Sequence, residues 1–173
     1  MRKKVIYSIL SSLLLFVFYV FYLGLSESNI YSPKISKKTL IEFKSNDLFN
    51  DNSVDSKNII NKNSYTLINI WSSWCTPCRI EHPTLLKLNQ LENLYMLGIN
   101  YKDKKNNAIA FLNNLGNPFS LVIADLDGLI SISLGAYGVP ETLLVNKNSE
   151  IIKKFIGPLS EKNYIEIKEI NEK

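Results

Sequence analysis

Tyr65-Thr66-Leu67-Ile68-Asn69-Ile70-Trp71-Ser72-Ser73-Trp74-Cys75-Thr76-Pro77-Cys78-Arg79 joins a β-rich, nearly continuous apolar run to a helical pattern. An unbroken apolar run of that length suits a central strand buried on both faces. Beyond it, Pro77, Ile80, Leu85, Leu86, Leu88 and Leu91 recur near helical spacing, and Pro83 inside that pattern predicts a kink. Further on, Leu94 to Tyr101 reads as a second strand, Asn106 to Leu115 as a helix stopped by Gly116 and Pro118, and Ser120 to Ala124 as a third strand. Thr142 to Val145 and Glu150 to Ile156 read as two strands joined by a hairpin-type turn. Ser160 to Ile170 reads as a last amphipathic helix with Ser160 at its N-cap. This order predicts an α/β sandwich with a central mixed sheet flanked by helices. Upstream, Leu40 to Phe43 suggests a short strand. Residues 46–63, rich in Asn, Asp, Ser and Lys, read as mostly loop with at most a turn of helix, their composition taken as bias.

The chain begins differently. Arg2-Lys3-Lys4 is followed by Val5 to Leu25, 21 residues without a charge. As a helix that stretch is roughly 30 Å long, enough to span a hydrocarbon core. It is longer than a signal-peptide apolar region, and Ser26-Glu27-Ser28-Asn29 offers no small-x-small cleavage pattern, so it reads as an uncleaved anchor. The three leading positive charges put residues 1–4 in the cytoplasm and the rest of the chain outside it. The expected organisation is a cytoplasmic n-region at 1–4, a transmembrane anchor at 5–25, a tether at 26–38 and one domain at 39–173. Arg2, Lys3 and Lys4 also account for three of the 20 basic residues, leaving 17 against 16 acidic ones in the remainder. Such a balance removes the concentrated basic surface that nucleic-acid binding needs.

Both cysteines of the chain lie in Trp74-Cys75-Thr76-Pro77-Cys78, where the strand meets the helix. A sulfur at a helix N-terminus faces unpaired N–H groups and the positive end of the dipole, which favours thiolate over thiol. Cys75 is expected at the N-cap, exposed and activated. Cys78 lies one turn inward, placed to attack a mixed disulfide on Cys75, the geometry of two-step thiol-disulfide exchange. Competing uses of the pair fit less well. Zinc on Cys75, Cys78 and His82 would have three protein ligands and falls short of a four-ligand Cys/His site. Covalent haem attachment needs a histidine where Arg79 stands. A structural bridge closing two residues constrains little of the unfolded chain. No metal is expected, and no cofactor beyond the redox-active Cys75–Cys78 pair.

Glu81, three residues after Cys78 on the same helix face, is a candidate acceptor for the resolving thiol's proton if it is buried; a solvated Glu paired with a lysine is the alternative. Asn69 occupies the strand position facing the thiols and carries no proton. His82 reads as a packing or surface histidine. Asp125-Leu126-Asp127-Gly128 resembles the start of a calcium loop without its remainder and reads as a turn. Pro140, at the start of a strand, is compatible with a cis Val139-Pro140 bond.

Trp71 to Cys78 resembles the active site of the thioredoxin superfamily, as do Pro83, eight residues after Cys75, and Pro140. The resemblance is closer to the membrane-anchored cytochrome c biogenesis thiol-disulfide oxidoreductases of the CcmG or DsbE type. It is carried by Leu67 to Trp71, Cys78-Arg79-Ile80-Glu81-His82, Gly98-Ile99-Asn100-Tyr101-Lys102-Asp103, Leu115-Gly116-Asn117-Pro118 and Gly135 to Thr142, in that order over residues 65–157. It implies a thioredoxin-like domain in the periplasm, held on the bacterial inner membrane. It implies a protein disulfide reductase whose clients are apocytochrome Cys-x-x-Cys-His segments or a partner thiol protein, re-reduced by a DsbD- or CcdA-type membrane electron donor. Carried over by position, Cys75 is the nucleophile, Cys78 the resolving thiol, and Glu81 and Glu141 the acids near them. Trp74, Tyr137, Val139 and Pro140 line the implied substrate groove. An exchange enzyme with other clients, and a non-catalytic module handling apocytochrome or haem, are the competing functions.

Overall fold

A computed structural model describes residues 2–26 and 39–172 of the 173-residue chain. Two compact units divide it, Met1–Lys34 and Ile35–Lys173. The first contains helix α1 (Arg2–Ser26), long and apolar enough to cross a membrane. Apart from Ser26, the expected tether lies outside the described residues.

The second unit is built on one seven-stranded sheet. In chain order its elements are β1 (Lys44–Asp47), β2 (Ser53–Asp55), α2 (Ser56–Ile60), β3 (Tyr65–Trp71), α3 (Thr76–Leu88), β4 (Leu94–Tyr101), α4 (Lys105–Leu115), β5 (Leu121–Asp125), α5 (Leu129–Ser133), β6 (Glu141–Asn146), β7 (Ile151–Ile156) and α6 (Glu161–Asn171). The strand order is β2-β1-β5-β4-β3-β6-β7. β3, β4 and β5 run parallel and the remaining pairs are antiparallel, so the sheet is mixed, as the element order predicts.

The run at 65–71 is apolar throughout because both sheet faces are covered. Leu67 and Trp71 join a core with Leu85 and Leu88 of α3, Phe111 and Leu112 of α4, and Ile167 of α6. Ile68 and Ile70 face the other way, onto Leu40, Phe43, Ile60 and Leu134. Alternate residues of one strand thus feed two cores. On the first face the Trp71 indole lies between Phe111 and Phe119, with ring centroids 5.1 and 5.7 Å away. The rings fit because β4 carries Gly98 beneath them. A Cβ there would lie 2.9 Å from the Phe119 ring and 3.0 Å from the Trp71 indole nitrogen. Gly98→Ala therefore displaces packed rings, and we expect a loss of about 1–3 kcal/mol in denaturant titrations, with a changed near-ultraviolet aromatic signal.

Two sequence expectations need correction, and one element has no counterpart in them. Residues 46–63 are not mostly loop. They supply part of β1, then β2 and α2, and β1 pairs with β5 so that the edge of the parallel strands is covered. The Asn and Asp residues that look like compositional bias form the turn: Asp47 accepts from the Phe49 amide and the Asn50 carboxamide, and Asn50 accepts from the Asn52 amide. Leu40 to Phe43 is not a strand. Thr39 makes a single bridge to Glu150, and Leu40 and Phe43 serve the core instead. Helix α5 had no counterpart in the sequence pattern. It is one short turn started by Asp125, whose buried carboxylate accepts from the amides of Ile130 and Ser131 and from the Ser131 hydroxyl. Asp125 to Gly128 is thus a turn, with Gly128 at φ +78°. Ser160 caps α6 as expected, in a reciprocal box with Asn163.

Candidate active site

Residues 72–78 leave the end of β3 and enter α3. Cys75 is the N-cap of that helix, extended at φ −86° and ψ 109°, and its sulfur accepts from the Cys78 amide at 3.1 Å. Cys75 and Cys78 form a disulfide. The expectation of an exposed Cys75 does not hold in this oxidised form. Its exposure is 3%, because both cysteines pack into the core that contains Trp71, Leu85 and Leu88. What stands exposed is the preceding residue, Trp74, at 58%.

Glu81 follows one turn after Cys78 and is completely buried. It pairs with no lysine among the described residues. Its Oε1 accepts from the Asn69 carboxamide at 2.9 Å and its Oε2 from the Leu159 amide at 2.8 Å. Desolvation raises its pKa to about 7, against the downward pull of those two hydrogen bonds. The same Asn69 nitrogen donates to the Thr142 hydroxyl at 3.0 Å, so α3, β3 and β6 meet on one polar chain beside the disulfide helix. Asn69 Oδ1 is buried with no partner among the described residues. His82 is a packing histidine. Its Nε2 donates to the Gly116 carbonyl at 2.9 Å and its ring meets Phe111 edge-on. The carbonyl can only accept, which fixes the tautomer. Burial lowers the pKa of His82, which favours the neutral ring.

Pro140 precedes β6, and the Val139-Pro140 bond is cis. The register Ile70↔Glu141 places Pro140 at the sheet end from which residues 72–78 emerge. Tyr137 is 72% exposed, Val139 half-buried and Pro140 buried. Glu141 is buried as well, but on the other sheet face. Its neighbour Thr142 shares a face with Asn69 and Glu81, and successive strand residues point oppositely. Glu141 Oε1 accepts from the amides of Tyr137 and Gly138 at 2.7 and 3.1 Å. Its Oε2 lies 2.6 Å from Lys154 Nζ, off the line of a formed hydrogen bond, so that contact is chiefly coulombic. Lys154 also donates to the Gly135 carbonyl and sits 5.0 Å from the Tyr137 ring centre. The two acids are thereby separated in kind. Glu81 is a buried carboxyl without a charged partner among the described residues, whereas Glu141 is engaged at both oxygens in holding the 135–141 loop.

The sequence offered no signal for Lys154, since a lysine on an outer strand ordinarily reads as solvated. Leu159 acts through its backbone and was equally silent. Asp103 ends the Gly98 to Asp103 segment, whose resemblance implies no role for it. Among the described residues, no group of three or more His, Cys, Asp or Glu side chains could hold a metal ion.

Residues 36–172 match the family model described as Redoxin. Thiol:disulfide interchange protein DsbE of Pseudomonas aeruginosa is 44% identical over 101 residues, 58% of this chain and 56% of that protein. The chain thus spans about half the length of that relative. Thiol:disulfide interchange protein DsbE of Escherichia coli is 34% identical over 137 residues, 79% of this chain and 73% of that protein. Among solved structures, the thioredoxin domain of a thiol-disulfide oxidoreductase from Bacteroides vulgatus superposes with a TM-score of 0.67 at 18% identity, covering 79% of this chain and 99% of that one. At that identity the likeness is one of fold: a thioredoxin-like α/β domain.

Proposed function

The chain belongs to the redoxin family, and from that premise we propose that it is a membrane-held thiol-disulfide oxidoreductase acting as a protein disulfide reductase. The observation that carries the proposal is the Cys75–Cys78 disulfide at the N-cap of α3, with buried Glu81 one turn behind it. In the reduced protein, Cys75 thiolate attacks a client disulfide, a mixed disulfide forms, and one client thiolate leaves. Cys78 then gives its proton to Glu81 and attacks Cys75 sulfur, which releases the second client thiolate. The client gains two electrons and the protein ends as the Cys75–Cys78 disulfide.

A carboxyl that titrates near 7 is matched to this proton transfer. Glu141 takes no proton in this scheme; it holds the loop. Trp74, Tyr137 and Val139, with Pro140 at the sheet end, form the groove for an extended client segment. The backbone N–H and C=O of Val139 have no partner among the described residues, which suits strand pairing with such a client.

The clients we propose are the disulfides of apocytochrome Cys-x-x-Cys-His segments, or of a thiol protein serving cytochrome c maturation. Re-reduction comes from a DsbD- or CcdA-type donor. Residues 1–4 lie in the cytoplasm, 5–25 span the bacterial inner membrane, 26–38 tether the domain and 39–173 form it in the periplasm.

The test is a trap. Cys78→Ser lets Cys75 attack but blocks release, so mixed disulfides accumulate in cells making c-type cytochromes. Adducts with an apocytochrome or a cytochrome-assembly thiol protein are the expected result, visible by mass spectrometry of non-reduced complexes. Adducts spread over many exported proteins would replace this client with general exchange. No adduct from an accessible Cys75 would leave a non-catalytic binding role.

A further inference from the structure

Residues 72–74 have no strand partner of their own, yet each sends a polar group to one place. The Ser72 hydroxyl donates to the Tyr101 carbonyl. The Trp74 indole donates to the Lys102 carbonyl at 3.1 Å. Ser73 gives both its amide and its hydroxyl to the Asp103 carboxylate, at 2.6 and 2.9 Å. The parallel register explains the meeting. β3 and β4 are paired through Trp71↔Asn100, so the chain beyond Trp71 runs beside the chain beyond Asn100. Lys102, at φ +44°, turns that second chain so that Asp103 faces back toward Ser73.

Asp103 is itself held. Its Oδ2 also accepts from the Asn100 carboxamide at 3.1 Å, and its Oδ1 from the Lys104 amide at 2.8 Å, where α4 begins. The side chain is nearly buried, with 9% exposure. Four donors on one shielded carboxylate form a rigid node. Two of them come from the residue that stands two places before Cys75. No step of the exchange reaction uses this group, and a carboxylate is more than a loop requires when water could satisfy the Ser73 amide.

We propose that Asp103 is the positioning residue of the redox loop: through Ser73 it fixes Trp74 as a groove wall and keeps Cys75 at the N-cap of α3. The proposal rests on the reading of Cys75 as the attacking nucleophile. The Cys75 sulfur accepts from the Cys78 amide only while Cys75 keeps its extended cap conformation. That hydrogen bond favours the thiolate in the reduced protein. A loop released from Asp103 lets the sulfur drift from the amide, so the thiolate is less stabilised and attack at neutral pH slows. Trp74 loses its fixed indole at the same time.

The experiment compares Asp103→Ala, Asp103→Asn and Ser73→Ala in the full chain in detergent. Three readouts are taken: the rate of attack on a small aromatic disulfide at pH 7, the ultraviolet titration of the Cys75 thiolate, and thermal unfolding. Asp103→Ala is expected to react about ten-fold more slowly or worse, the factor one charge-assisted hydrogen bond commands, with Cys75 titrating at higher pH. Asp103→Asn, which keeps one acceptor oxygen, recovers part of the rate. Ser73→Ala, which loses one bond of the four and retains the fold, shifts the titration in the same direction by less. A lower unfolding temperature with an unchanged rate and unchanged Cys75 titration would reduce Asp103 to a structural residue and overturn the inference. Should Asp103→Ala fail to fold, an unmoved Cys75 titration in Ser73→Ala has the same force. A wild-type protein that does not react at all would instead sink the nucleophile assignment, and the two failures are distinct.

Discussion

Lys154→Ala is expected to cost about 3–5 kcal/mol of stability, the usual penalty for breaking a buried ion pair from one side. The reason lies in what is left behind. Glu141 and Lys154 have side-chain exposures of 2% and 8% and stand 2.6 Å apart. With the lysine gone, Glu141 Oε2 is a buried carboxylate oxygen with no cation and no donor. The Gly135 carbonyl loses its donor, and the Tyr137 ring loses the ammonium 5.0 Å from its centre. A domain of this size has about 5–15 kcal/mol in total, so the effect is a large fraction of it. Urea titrations of the domain in both redox states would measure it. The double replacement Lys154→Met with Glu141→Gln serves as the control. It removes both charges while keeping the volume, and the carboxamide oxygen that replaces the Glu141 carboxylate can still accept from the amides of Tyr137 and Gly138. It should recover most of the loss, giving a strongly non-additive pair. A Lys154→Ala variant within about 1 kcal/mol of the parent would mean that the pair is solvated enough to be dispensable. The loop at stake is the one before Pro140, so the same variants should react more slowly with an extended peptide disulfide than with a small aromatic one.

How much of this was legible beforehand follows from the kind of interaction involved. β3, α3, β4 and α4 could be read from periodicity and turn residues, because burial against both faces of a sheet imposes a pattern on the chain itself. The Cys75 cap was legible for a similar reason: a strand that ends at Trp71, three residues before Trp74, and a helix that begins at Thr76 leave one position for it. β1 and β2 were not legible. Lys44 to Asp47 alternate exposed with half-buried and Ser53 to Asp55 bury only Val54, and they are strands because the edge of β5 accepts β1 and β1 in turn accepts β2. The site divides along the same line. Glu81 could be nominated from its spacing to Cys78, but its state could not be, since burial depends on Asn69, Thr142 and Leu159 converging from three distant segments. Glu81 and Glu141 looked alike on paper. The alternation of β6 puts Thr142 with Glu81 and turns Glu141 to the far face, a distinction that only strand pairing makes. The exposure of Cys75 was misjudged because local sequence says where a cap lies and nothing about which core covers it.

Glu81→Gln is expected to slow release of the client about a hundred-fold at pH 7 and to erase the pH dependence of that step, the scale a positioned general base contributes. The linkage gives an independent check on the same residue. Burial raises the Glu81 pKa from 4.5 to about 7 in the folded protein, while the unfolded chain keeps the ordinary value. Below pH 4.5 the carboxyl is protonated in both states, and its contribution to stability is fully present. As pH rises through the window from 4.5 to about 7, the unfolded chain loses its proton first, so stability falls, by about 3 kcal/mol across the whole window. An uncharged carboxamide has no such window. The Glu81→Gln variant should therefore match the parent near pH 4 and exceed it by about 3 kcal/mol at pH 8, provided its one amide oxygen keeps the Leu159 contact and Asn69 turns its unpartnered Oδ1 to the new NH2. Stability and activity would then move in opposite directions on one substitution. A structural acid gives a different result: a variant less stable at every pH, with its exchange rate unchanged. By neutral pH the buried carboxyl has already cost the folded state most of that stability, and it is there that its pKa suits it to proton transfer, as a group kept for that step rather than for packing should be.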